Sequence, residues 1–211
     1  LYGRNAIGGA INIVTRDPSE EFESHGALGY GNGGTVEARG ALSGPVVADK
    51  ASIRLAGFYT QANGLIDNTF LGTEADFIDH DYTVRGKLLV RPNEAVDLDF
   101  RASFSDFSAG GVYDAAVFSG NANDYRLPTT SLLGRTEGDI TELTFKADVD
   151  MTFARLTAIT GYTDLYEQYR GDLDFSNPVE KPGGFLGFLG PVGQGQNLSV
   201  ELLSQEIRLT S

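Results

Sequence analysis

The chain has 211 residues, with 29 acidic and 16 basic side chains, for a formal net charge of −13. It contains no cysteine and 2 histidines, which excludes disulfide scaffolds and Cys/His zinc sites. A nucleic-acid binder needs a basic footprint to neutralise phosphates, so that class is excluded too. No apolar run approaches the roughly 18 residues of a membrane helix. A barrel strand, however, crosses a bilayer in about 9–11 residues and shows only alternation.

The chain opens on Leu1-Tyr2-Gly3-Arg4, with no apolar segment behind a basic start, so it is expected to begin in mid-protein. A glycine pair, Gly8-Gly9, leads into a short apolar strand with Ala10, Ile11, Asn12, Ile13, Val14 and Thr15, which Asp17-Pro18 stops. Strand tracts follow at 25–30 and 35–43, joined by a hairpin at 31–34. Ile53, Leu55, Gly57 and Tyr59 share one face of the next tract, with Ser52 and Arg54 opposite. Tyr82, Val84, Gly86, Leu88 and Val90 oppose Thr83, Arg85 and Lys87. Alternation is cleanest over 96–105, where even positions are apolar and odd ones polar, and over 143–150. Two weaker tracts, 153–169 and 198–210, place Ile159 and Leu202 on otherwise polar faces. The reading is all-β, with about eight antiparallel strands.

After the first hairpin the connections alternate in length. Those at 43–50, 91–95 and 150–153 are short, whereas 61–81, 105–138 and 171–197 are long, glycine-rich and acidic. Every long one falls at the same end of the strands, as in outer-membrane barrels with short periplasmic turns and long extracellular loops. Tyr30, Tyr59, Tyr82, Phe104 and Tyr162 lie toward that end, where an interfacial girdle belongs. Placing Arg or Lys against lipid at the bilayer midplane costs roughly 2–4 kcal/mol. Arg54, Arg85, Lys87, Arg101 and Lys146 are therefore expected to face a lumen. A soluble β-sandwich is the competing reading, because one face covering a core also produces alternation.

Residues 1–18 closely resemble the end of the plug domain in TonB-dependent outer-membrane receptors. The likeness lies in Leu1-Tyr2-Gly3-Arg4, then Gly8-Gly9-Ala10-Ile11-Asn12-Ile13-Val14-Thr15, then a charged residue and proline. The stretch Ser204-Gln205-Glu206-Ile207-Arg208-Leu209 is similar to barrel segments of these receptors, though less specifically. The resemblance implies a plug end at 1–18, a linker at 19–24 and the N-terminal part of a barrel at 25–211. About eight strands would then belong to a wall of about 22, so the chain is expected to be a piece of a longer protein. It also implies an outer-membrane receptor that is not an enzyme and needs no cofactor. Such a receptor imports a scarce bulky substrate such as a ferric siderophore, and is partnered by outer-membrane lipid and by TonB through a box absent from this chain. A passive porin-like channel and a soluble sandwich module are the alternatives.

Other motifs read more plainly. Gly29-Tyr30-Gly31-Asn32-Gly33-Gly34 fits the dinucleotide pattern G-x-G-x-x-G, but a strand follows where a helix is required, so it reads as a hairpin. The pairs Asp97/Asp99, Asp148/Asp150 and Asp172/Asp174 could in principle serve acid/base chemistry and read as ordinary lumen or loop charge. His25 and His80 have no motif around them. The acids Asp67, Glu74, Asp76, Asp79 and Asp81 could bind Ca²⁺, but their spacing matches no calcium loop and they read as a solvated acidic surface, while Asn121-Ala122-Asn123-Asp124 is a weak candidate cation site. Phe70, Phe77, Tyr113, Phe118, Tyr125, Phe185 and Phe188 stand in polar or glycine-rich connections and are candidates to line a ligand site, or else pack to order the loops.

Overall fold

The computed structural model describes residues 14–211 apart from 112, 113, 115, 116, 118, 119, 122, 184–187 and 189. Ten strands follow in order: β1 (Glu23–Tyr30), β2 (Val36–Val47), β3 (Ala51–Ala62), β4 (Asp67–Asn68), β5 (Thr73–Glu74), β6 (Ile78–Asn93), β7 (Val96–Gly110), β8 (Arg135–Asp150), β9 (Arg155–Asp172) and β10 (Gly193–Thr210). Eight of them form one antiparallel sheet in the order β1-β2-β3-β6-β7-β8-β9-β10, and β4 pairs only with β5 inside the β3–β6 connection. The expected all-β class and eight-strand count are therefore met. The pattern at 29–34 is indeed a hairpin: Gly33 and Gly34 take φ of 67° and 64°, and β2 follows directly.

The strands outrun the sequence tracts. β6 reaches back to Ile78, β7 runs on to Gly110, β9 ends at Asp172 and β10 starts at Gly193. The long connections shrink to 63–77, 111–134 and 173–192. The reason is that alternation marks a strand only where its two faces meet different surroundings. Near the loop end both faces are polar, so pairing continues without the pattern.

The sheet is a single layer. Among the described residues the buried apolar side chains, prolines aside, are Ala75 and Ala154, while Leu55, Val84, Phe100, Leu143, Leu203 and Ile207 stay 42–73% exposed. Register assigns the faces. One face carries Leu42, Leu55, Gly86, Ala102, Leu143, Tyr162 and Leu203 in one transverse row. The opposite face carries Ser43, Arg54, Lys87, Arg101, Thr144, Gly161 and Ser204 in the neighbouring row. Ile159 sits between Lys146 and Glu206 on the charged face, and Leu202 faces Thr163 there, as their parity indicated.

The five aromatics form a slanted line. Tyr30 is level with Val36 and Gln61. Tyr59 faces Tyr82 two residues nearer the short turns, Phe104 faces Val84 two further on, and Tyr162 faces Leu143 two beyond that. The line thus drops six residues over the six strand-to-strand steps from β1 to β9. One residue of about 3.3 Å per strand spacing of about 4.8 Å is a slope of about 35°, the tilt of strands in a closed barrel. The Tyr59 hydroxyl is bonded to Gln61 and that of Tyr162 to Glu201, both toward the loop end. On the turn side of this line the uncharged face bears no ionisable side chain on any strand of the sheet. Beyond the line the same face turns acidic, with Asp106 opposite Asp139 and Asp164 opposite Glu201.

Candidate functional site: charged face and loop cap

The charged face gathers all five of the cations expected to share it. Arg54, Lys87 and Arg101 are direct neighbours across β3, β6 and β7, with Arg85 two residues along β6 and Lys146 opposite Asp99 on β8. Like charges placed side by side repel, and carboxylates of the same face offset this. Arg54 bonds Glu23 at 3.0 Å, Arg101 bonds Asp99 at 2.5 Å, and Lys146 bonds Asp148 at 2.7 Å. Lys87 is the most enclosed of the set, its side chain 8% exposed, and it contacts both Asp99 and Asp17. Asp17 lies outside the sheet, in the segment before β1.

That segment lies against the charged face. Pro18 is buried, and the Ser19 N–H donates to Ser43 Oγ at 2.8 Å. Of the motif read at the N-terminus, Leu1 to Ile13 lie outside the described residues, while Val14 and Thr15 are described and exposed.

The loop end is a hydrogen-bonded cap. Asn68 donates to the Thr130 carbonyl and hydroxyl, and its Oδ1 accepts from the N–H groups of Phe70 and Leu71. Asp172 is fully buried and accepts from the N–H groups of Ser131, Leu132, Asp174 and Phe175 and from the Ser131 hydroxyl. Asp174 accepts from Ser176 and from the Val192 N–H, and Asn177 donates to the Thr129 carbonyl. Three connections are thereby tied into one body. Burial pushes the Asp172 carboxyl above its ordinary range, and its hydrogen bond with Asp174 adds to this against the Leu132 N–H and Ser131 hydroxyl. Burial also raises Asp174, but the hydrogen bonds from Asp172, Ser176 and Val192 outweigh it and hold Asp174 low. The acids at 172 and 174, read as ordinary charge, are main-chain clasps. An alternation of Asp with Ser and Asn just past a strand, in Asp172-Leu173-Asp174-Phe175-Ser176-Asn177, is the signal that points to such turns.

The loop aromatics divide. Tyr125 and Phe188 are 82% and 77% exposed and Phe70 is 40% exposed, whereas Phe77 lies under the Arg135 guanidinium, 5.4 Å from its ring centre. Tyr113, Phe118 and Phe185 lie outside the described residues. Hydrogen bonds from Thr69 to Pro128 and from Ser131 to Ser176 bring the stretches bearing Phe70, Tyr125 and Val179 into one cap. His80 pairs with Asp106 at 2.5 Å on the face beyond the aromatic line, and His25 stands 3.7 Å from Glu23. Asn121 and Asp124 close a local turn upon each other. Among the described residues no three His, Cys, Asp or Glu side chains are grouped to hold a metal ion.

No protein-family model matches the chain, and no solved structure gives a significant match.

Proposed function

We propose that the chain is part of a TonB-dependent outer-membrane receptor that imports a scarce, bulky nutrient, with iron–siderophore complexes as the favoured substrate class. One coincidence carries this reading. The plug-like motif delivers the chain, through Asp17, Pro18 and Ser19, onto the charged face of a sheet whose other face is an uncharged band under a slanted aromatic line. On this reading the uncharged face meets lipid. The nine residues 96–104, tilted as above, cover most of the roughly 25 Å hydrocarbon band of such barrels. The charged face meets the lumen and the plug. Exposed Phe70, Tyr125 and Phe188 on the cap offer apolar contact to a ligand. TonB and the proton gradient of the inner membrane supply the energy for plug rearrangement. The protein makes and breaks no covalent bond.

The test is uptake in a strain lacking the complete gene, with radio-iron loaded onto a panel of siderophores and labelled cobalamin as a further probe. Uptake restored by the gene and abolished by deleting TonB is the expected outcome. Restoration that survives loss of TonB would assign a passive channel instead. A full-length protein that stays monomeric in buffer without detergent would end the membrane reading.

A further inference from the structure

The stretch from Asp17 to Ser19 is docked on the charged face at three points. Asp17 contacts Lys87 Nζ, Pro18 is buried, and the Ser19 N–H bonds Ser43. Only the first contact involves charge, and its two partners are unlike. The Lys87 side chain is 8% exposed and the Asp17 side chain 70% exposed, so the cation is fixed in the wall and the anion is the partner that can leave. Lys87 faces Arg54 on one side and Arg101 on the other. Glu23 serves Arg54, and Asp99 is shared between Lys87 and Arg101. With Asp17 withdrawn, three neighbouring cations would be left with two carboxylates.

We propose that Asp17 and Lys87 form an ionic latch that holds residues 17–19 as a strap on the charged face. The wall is charge-matched only while the strap is docked, so the sheet itself favours the docked state. Any movement of the chain before residue 17 reaches β1 through this strap, and the latch sets how easily that movement passes. Asp17 acts through Lys87 and not on any ligand. The latch is a property of strap and wall, so its test stands apart from transport.

Hydrogen exchange by mass spectrometry on the full-length protein in detergent reads the strap directly. Lys87→Met and Asp17→Asn are each expected to raise exchange at the Ser19 N–H about tenfold, the scale of one charge-assisted bond. Exchange in β9 and β10 should not change. Lys146→Met, on the same face but paired with Asp148, should leave the strap as it is. High salt should speed strap exchange in the native protein and not in Lys87→Met, because screening weakens an ion pair and nothing else in the dock. The double exchange Asp17→Lys with Lys87→Asp should restore protection. If Lys87→Met also loosens β9 and β10, Asp17→Asn and the conservative Lys87→Arg decide. Strap exchange unchanged in Asp17→Asn, or raised equally by Lys146→Met, overturns the latch.

Discussion

The wall and the cap both hold carboxylates in place, and they do it by different means. In the wall, cations meet carboxylates two residues away on the same strand face, as in Asp99–Arg101 and Lys146–Asp148, or across strands, as in Glu23–Arg54. In the cap, Asp172 and Asp174 are buried, and main-chain N–H groups surround them. The charge ledger divides the same way. Residues 61–81, 105–141 and 164–201 hold 16 of the 29 acids and 4 of the 16 basic residues, a net of −12, which leaves the rest of the chain within one charge of neutral. Cations crowded side by side on one face of a sheet must be balanced locally, because like charges directly opposite each other repel. The cap carries a large acidic excess and uses backbone dipoles to settle the few acids it buries.

Four perturbations would break or sharpen this contrast. Leu143→Arg puts a cation on the uncharged face and is expected to cost about 2–4 kcal/mol in unfolding from vesicles. Thr144→Arg, one residue on and facing the charged side, should cost under about 1 kcal/mol. Equal costs would mean the two faces do not differ in surroundings. Asp172→Asn turns an amide N–H₂ onto clustered N–H donors, at an expected cost of about 2–3 kcal/mol. Hydrogen exchange should localise that loss to 131–132 and 174–175 and leave the wall unchanged. Gly138→Ala would set a Cβ 2.2 Å from the Tyr166 carbonyl where wall meets cap, and should cost about 1–3 kcal/mol. Gly57→Ala, with its nearest neighbour at 3.8 Å, should stay within about 0.5 kcal/mol, so thermal melting of the pair separates close approach from glycine content.

The smallest effect concerns pH. Asp172 is raised, so its contribution is fully present below its ordinary value and is lost as pH rises through the raised one. Asp174 is lowered, so its contribution is present above its ordinary value and is lost as pH falls through the depressed one. The cap should therefore be firmest on the acid side of neutrality, between the two. Exchange rates at 174–176, corrected for intrinsic pH dependence, should pass through a minimum there, and Asp172→Asn should flatten its alkaline limb. A flat profile in the native protein would remove the opposed shifts of the pair.

Most of the wall was legible from its amino acids. Period-two alternation at 96–105 and 143–150 assigns faces because each face meets one kind of environment throughout. The common face of Arg54, Arg85, Lys87, Arg101 and Lys146 follows from the same parity. The cap was not legible. Asn68 reaches Thr130 and Asp172 reaches Ser131 across 62 and 41 residues of chain. A side chain that clasps a distant backbone leaves no period behind. Loop extents were overestimated for a related reason, since pairing beyond the aromatic line needs a neighbouring strand and not a pattern. Asp17 was legible as a stop signal, and its contact with Lys87, 70 residues away, was not.

By itself, then, the sequence determined an antiparallel all-β chain, the strand faces, and a single end for the long connections. These rest on local alternation and turn chemistry, which neighbouring residues settle among themselves. Only the tertiary structure decided the register that sets five aromatics on one slanted line, the N–H clasps of the cap, and the strap on the charged face. Those depend on which strand lies beside which, and how far it is slid along its neighbour. Main-chain hydrogen bonds fix that slide, and they are blind to side-chain identity.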